Sequence, residues 1–555
     1  MRRCARRRAT CVAWWAGCVS VAFAACGAPA AEAFSAGMTR IPRGSLAQLA
    51  GRRGCVSERH KEGCARGRAL GGAASVATSP DGRNVYVASN TSYAVVSFAR
   101  DQRTGALSQL AGRAGCTSEG GKYGCAVGRG LIGAFSVAIS PDGRNVYVAS
   151  YSGVVAFSRQ PATGALSQLP GSAACVLEGG GEGCASGRGL DGASSVTVSP
   201  DGKNVYVAST SSNAVAVFAR DRTTGALRQL EGPAGCTDER GNDNCQLGRG
   251  LAGAFSVAVP LDGRHVYVVS LSSNAIVRFG RDPVGGELTE ENAPTACTSE
   301  RGTEGCTTGR AILGPNALAI APDGGHVYVA SSESSSVAVL LRERTTGVLD
   351  QLPGTYACTS ERGSGGCSPG RGLGGSFALG MNPKATSLYV ASQNSVVVFS
   401  RHAANGRIAQ LSGRRGCVDE YRREGCAGGR GLAGAASVAV SPDGRNVYVA
   451  ALQSNAVAVF KRRPDAVTLR ASLSGIPRGC ASRGFTVRAG ARATLKLRSL
   501  RLALDRRLIA RSRGRSLRRR IRAGRLPRGR HRLRLVVIDV GGNRASRTMT
   551  FSRCR

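Results

Sequence analysis

Fourteen cysteines recur along this 555-residue chain as seven equally spaced pairs: Cys55 and Cys64, Cys116 and Cys125, Cys175 and Cys184, Cys236 and Cys245, Cys297 and Cys306, Cys358 and Cys367, and Cys417 and Cys426. Thiols in this pattern can oxidise to disulfides or, as thiolates, hold a metal. One pair per repeat makes local bridging the simplest solution. Zinc is the rival reading, and it is the poorer one because each loop offers two thiolates and no regularly placed histidine. Closing so short a loop contributes about 2–3 kcal/mol by the chain-entropy argument. Cys480 and Cys554 bracket the C-terminal region and are expected to tie its ends, while Cys4, Cys11, Cys18 and Cys26 fall in the N-terminal segment.

The same loops carry a second fixed pattern, Cys-x-x-Glu-(x)5-Cys-x-x-x-Arg. It sets Glu58 with Arg68, Glu119 with Arg129, Glu178 with Arg188, Glu239 with Arg249, Glu300 with Arg310, Glu361 with Arg371, and Glu420 with Arg430. A carboxylate and a guanidinium recurring in this way are expected to form ion pairs within or between neighbouring loops. Catalysis would need one asymmetric set of groups held in different protonation states, whereas a motif stamped out seven times reads as architecture. Its functional alternative is a ring of identical binding cradles or a charged collar. His265 and His326 lie beside Pro-Asp-Gly-type turns, His60 lies in a disulfide loop and His402 in a turn, and all four are expected at the surface. The sequence therefore nominates no catalytic residue, cofactor or metal.

The elements that position these groups follow from a repeat of about sixty residues. Its Val-Tyr-Val-like core places Tyr86, Tyr147, Tyr206, Tyr267, Tyr328, Tyr389 and Tyr448 at intervals of 59 to 61 residues. Within a block, short β-branched runs are separated by Pro-Asp-Gly, polar and Thr-Gly turns, which predicts four antiparallel strands per blade. Apolar residues on both faces of strands two and three suit sheets packed between neighbours. The last block stops after its third strand at 456–461, while residues 44–49, Gly-Ser-Leu-Ala-Gln-Leu, closely copy the fourth-strand segment at 105–110. The expected fold is all-β: a seven-bladed β-propeller closed by an N-terminal strand, followed by a small β-sandwich.

Ser-Pro-Asp-Gly-Arg-Asn-Val-Tyr-Val-Ala-Ser at 140–150 and Thr-Gly-Ala-Leu at 104–107 resemble the YVTN-type repeat of lactonase-family seven-bladed propellers. The resemblance covers residues 44–462 and implies the fold. The family's activity implies an acid, a base and basic side chains at the channel mouth, and no unique Glu, His and Arg set in this chain matches them.

The expected organisation is a signal peptide over 1–33, the propeller over 34–463 and a basic immunoglobulin-like sandwich over 464–555. Five arginines precede an apolar run that is short for a membrane span and ends at small-residue sites, which reads as a secretory signal; a lipoprotein anchor at Cys26 is the alternative. The net charge of +40 is concentrated in the tail, where residues 461–555 hold 29 Lys and Arg against 3 acidic residues. Asp539-Val540-Gly541-Gly542-Asn543, preceded by Gly529-Arg530-His531, resembles the final hairpin of bacterial immunoglobulin-like domains.

Arg511, Arg513, Arg515, Arg518, Arg519, Arg520, Arg522 and Arg525 form a candidate polyanion-binding stretch. It lacks interleaved aromatic residues, which argues against sequence-specific nucleic-acid recognition. The chain is thus expected to be a monomeric, non-transmembrane, extracytoplasmic binding or scaffold protein. Its expected partner is an envelope protein or an anionic polymer held by the tail. The alternative is a lactonase-type hydrolase acting on a sugar lactone at the channel.

Overall fold

The computed structural model describes residues 44–58, 61–291, 294–463, 469–477, 479–493, 497–539 and 544–554. The expected signal peptide, His60 and most of the 539–543 hairpin motif lie outside them. Seven six-stranded sheets succeed one another in chain order, each one a blade.

Blade three shows the construction. The inner strand Ala193–Val198 pairs antiparallel with Asn204–Ser209, which pairs with Ala214–Arg220. Buried valines, alanines and the central tyrosine line both sides of the second and third strands, because each sheet is covered by neighbours on both faces. The fourth strand, Leu227–Gln229, pairs with only the last three residues of its seven-residue neighbour.

Here the structure corrects the expected four-stranded blade. The open half of the third strand's edge is taken by Cys236–Asp238, the first strand of the disulfide loop, and Gln246–Leu247 adds in parallel outside it. A bare edge would expose unpaired N–H and C=O groups, and the loop covers it.

Ring closure occurs where the sequence places it. Leu46, Ala47 and Gln48 pair with Arg462, Lys461 and Phe460, and Cys55, Val56 and Ser57 pair with Ala458, Val457 and Ala456. The chain's first described strands thereby complete the last blade.

Beyond the propeller, a three-stranded sheet and a five-stranded sheet enclose one apolar cluster that includes Val487, Leu500, Leu502, Leu533, Leu535 and Phe551. Phe485 and Phe551 meet edge to face at 4.9 Å between the two sheets.

Each blade junction is locked by a buried arginine from the end of a third strand. Arg159 of blade two donates from Nε to the Tyr86 hydroxyl of blade one at 2.8 Å and from Nη1 to the Gly143 carbonyl at 2.9 Å. Its Nη2 donates to Asp81 at 2.8 Å and to the Asn84 amide oxygen at 2.6 Å. The Tyr86 hydroxyl in turn donates to the Gly164 carbonyl at 2.8 Å, and burial raises its phenol to about 12 although Arg159 pulls it down. Arg100, Arg220, Arg281, Arg342, Arg401 and Arg462 repeat the bond to the tyrosine of the preceding blade.

The closing junction departs from this pattern. Where other blades have Asp and Gly in the first turn, blade six has Lys384 and Ala385, and Arg462 donates to Ser387 at 3.2 Å and Thr386 at 3.4 Å. Ala385 holds φ 53°, a left-handed conformation that glycine occupies in the other turns. Ala385→Gly is expected to raise stability by about 1 kcal/mol, read as a higher urea midpoint at unchanged m-value; an equal or lower midpoint would show that the turn carries no strain.

Candidate functional site

All seven repeat disulfides form as expected, as does Cys480–Cys554. Each repeat bridge joins the strand that covers the third strand's edge to the residue just before the outermost strand. The bridges lie toward the turn between strands two and three, opposite the arginine junctions. This density of disulfides belongs to an oxidising, extracytoplasmic environment. No helix among the described residues is long and apolar enough to cross a membrane.

The expected Glu–Arg pairs are replaced by bonds to backbone. Glu119, Glu178, Glu239, Glu300, Glu361 and Glu420 accept from the N–H of Leu131, Leu190, Leu251, Ile312, Leu373 and Leu432, each twelve residues on. Glu58 accepts from the Ser92 hydroxyl at 3.4 Å.

Arg68, Arg129, Arg188, Arg310, Arg371 and Arg430 reach into the next blade and donate to the carbonyls of Gly112, Gly171, Gly232, Gly354, Gly413 and Gly51. Those glycines hold φ between 57° and 64°, a conformation only glycine adopts without strain. Arg249 alone makes an ion pair, at 2.6 Å, and its partner is Glu290, which stands where the other blades carry glutamine. That glutamine explains the geometry: Gln109 accepts from the Arg68 N–H at 3.0 Å and donates to the Arg68 carbonyl at 3.1 Å, so the arginine is delivered to the next blade rather than to its own glutamate.

The displaced glutamates face other carboxylates instead. Glu119 is near Glu182, Glu178 near Asp243, Glu239 near Glu304, Glu361 near Glu424 and Glu420 near Glu62, each pair spanning two blades. Burial raises all five, and the facing carboxylate raises them further. Glu420 is pushed up to about 7, while Glu62 and Glu420 accept from the adjacent N–H groups of Gly431 and Leu432 at 2.8 and 2.6 Å. No group of three or more His, Cys, Asp and Glu residues suited to holding a metal occurs among the described residues.

Three aromatic rings meet at this end of the channel. A bulge in the inner strand turns the residue after its first position out of register, as at Phe255. Phe135, Phe255 and Phe377 of blades two, four and six converge edge to face, with centroids 5.8 and 5.7 Å apart. Ala74, Ser194, Asn316 and Ala436 occupy the same position in the other blades. None of the seven inner strands carries a titratable side chain.

His265 and His326 are corrected from surface to interior: they are 5% and 4% exposed and take the asparagine's place in the arginine junction. Arg342 lies 3.1 Å from Nδ1 of His265, and Arg401 lies 2.9 Å from Nδ1 of His326. Both stand in the column held by Asn84 and Asn145 beside the turn, and a position beside a turn reads as surface in the sequence alone. The junction arginines were missed for the same reason, since a charge beside a turn reads as solvent-exposed.

In the tail, the eight candidate arginines from Arg511 to Arg525 are all exposed. Arg518 and Arg520 lie on the three-stranded sheet opposite Arg488 and Thr486.

Residues 133–236 match the family model described as "Lactonase, 7-bladed beta-propeller". The matched residues lie within the seven-bladed propeller. Solved structures similar to this chain include the periplasmic gluconolactonase of Pseudomonas aeruginosa, at 17% identity, TM-score 0.43, and 61% and 84% coverage of this chain and that one. Hydrazine synthase of Kuenenia stuttgartiensis is similar at 17% identity and TM-score 0.44, with 70% and 95% coverage. A Lactobacillus plantarum protein is similar at 15% identity and TM-score 0.44, with 65% and 86% coverage. A search of curated proteins finds no match.

Two opposed pH effects follow. Burial first, then Arg342 and Arg401, hold His265 and His326 below their ordinary value of about 6.5, so the unfolded chain binds more protons and stability falls as pH drops below that value. His265→Asn with His326→Asn is expected to flatten the melting temperature between pH 7 and 5; an unchanged slope would place the effect elsewhere. Glu420 has the reverse sign. Its raised value makes a contribution that is present below about 4.5 and lost as pH rises through about 7, so Glu420→Gln is expected to raise the melting temperature above pH 7 and not at pH 4.

Proposed function

We propose that this protein is a non-catalytic binding or scaffold module of the cell envelope. It is exported by the N-terminal signal or held there through Cys26, with an immunoglobulin-like basic tail that engages an anionic envelope polymer or an envelope protein. The observation that carries this reading is the seven inner strands without a titratable side chain, capped at one end by Phe135, Phe255 and Phe377. General acid–base catalysis needs a titratable group within hydrogen-bond reach of the reacting proton, and these strands supply none.

The repeated polar groups support the same reading, because their bonding capacity is spent on holding blades together. The exposed arginines at 511–525 supply the polyanion-binding surface through counterion release.

A second reading, lactone hydrolysis at the open face of the channel, is favoured by the lactonase family match over residues 133–236. The two are separated by one pair of measurements on the full chain. Retention on envelope polymer at low salt is expected to fall at least tenfold in the Arg518→Ser, Arg519→Ser, Arg520→Ser variant, with no hydrolysis of gluconolactone by either protein. Enzymatic lactone turnover, with polymer retention indifferent to the three substitutions, would reverse the ranking.

A further inference from the structure

The outer face of the five-stranded tail sheet forms a concave pocket of about 770 Å³ whose lining includes none of the 511–525 arginines, although Arg511 pairs with Arg501 beside it. Alternation along the strands builds it. Leu500, Leu502, Leu533, Leu535 and Val537 turn to the core, so Arg501, Ala503, Arg532, Arg534, Val536 and Ile538 turn outward. Ala503 pairs with Arg534, Arg501 with Val536, and Ile538 with Arg544, setting guanidinium groups around an aliphatic floor. Arg506 and Leu508 close one end, and Leu508 stands 58% exposed.

None of Arg501, Arg506, Arg532, Arg534 and Arg544 has an ion-pair or side-chain hydrogen-bond partner among the described residues. The sole carboxylate in the pocket is committed elsewhere: Asp505 bonds Nδ1 of His531 at 2.6 Å and accepts from the Arg532 N–H at 2.8 Å. Five unpaired cations thus surround a floor of valine, isoleucine, leucine and alanine.

We infer that this pocket binds the phosphate headgroup of an anionic lipid, with the arginines on the phosphate and the aliphatic floor and Leu508 against the first carbons of its chain. Charge complementarity selects an anion, and the guanidinium fork matches a phosphate's oxygens. The floor selects an aliphatic body. A sugar polymer is disfavoured because the lining has no aromatic ring for a sugar face and no free amide or carboxylate for its hydroxyls. Arginine with an exposed aliphatic residue is also the combination that adds electrostatic attraction to apolar burial at an anionic membrane surface. This site goes beyond the polymer-binding proposal and uses arginines other than Arg518, Arg519 and Arg520, so either can fail alone.

The test is co-sedimentation of the full oxidised chain with vesicles. Binding to phosphatidylglycerol–phosphatidylcholine vesicles is expected, with at least tenfold weaker binding to pure phosphatidylcholine. Arg532→Ser with Arg534→Ser is expected to lower binding at least tenfold, and Leu508→Ser severalfold. Arg544→Ser, at an exposed strand position, provides an independent variant should the double one misfold, and is expected to lower binding severalfold. Retention on inorganic polyphosphate is expected to be unchanged by Leu508→Ser. The proposal is overturned if vesicle binding ignores Leu508, Arg544 and the Arg532–Arg534 pair, or if it tracks Arg518–Arg520 and is competed fully by polyphosphate, which would make the tail a polymer binder only.

Discussion

One buried guanidinium per blade junction is the constraint on which the rest of the propeller depends. An arginine cannot shed its charge, and its N–H donors need partners when it leaves water. At Arg220 four bonds come from parts of two blades at once: a hydroxyl, a carboxylate and an amide from the preceding blade, and a turn carbonyl from its own. Separating two blades strands a buried charge together with a buried phenol. This fixes the angular step between neighbours more strictly than valine packing alone, because dispersion contacts tolerate small rotations and a guanidinium bonded into both blades does not.

The opposite face solves the same problem by other means. There the blade edge is covered by a disulfide loop, and an exposed arginine bonds a carbonyl in the next blade, aimed outward by a left-handed glycine. The carboxylate pairs beside it oppose this cohesion as pH rises, while the two buried histidines oppose the first face's cohesion as pH falls. The ring closes between these two systems. Gly44 supplies the carbonyl for Tyr389, a role filled in other blades by a turn within the repeat, so the chain's beginning substitutes for a missing turn as well as a missing strand.

Much of this architecture is legible in the residues. Tyrosine spacing gives seven blades, the copy of 105–110 at 44–49 gives the closure, and constant cysteine spacing gives the bridges. What escapes is partnership across the ring. Arg159 looks like a turn charge in its own repeat, and only the neighbouring blade, 73 residues away at Tyr86, makes it an interior residue. Glu119 and Arg129 look like partners because they are close in sequence, but Gln168 of the next blade captures the Arg129 backbone and redirects its side chain. The sixth strand of each blade escapes because a two- or three-residue pairing leaves no periodicity to detect.

The site-level question turns on how an odd ring breaks its own symmetry. Large and small residues can alternate perfectly around an even ring, but seven positions force two like neighbours. Phe135, Phe255 and Phe377 take blades two, four and six, which leaves Ala436 and Ala74 adjacent in blades seven and one, where the Val76 N–H donates to the Ser437 hydroxyl at 3.1 Å. The last junction of the ring is therefore left to small residues. An active site assembled at this end of the channel would need polar groups from several inner strands at once. The bulge falls on Phe255 in blade four and on alanine, serine or asparagine in blades one, three, five and seven, while Phe135 and Phe377 stand just before the inner strands of blades two and six. Asymmetry at this position has thus been used to fill space.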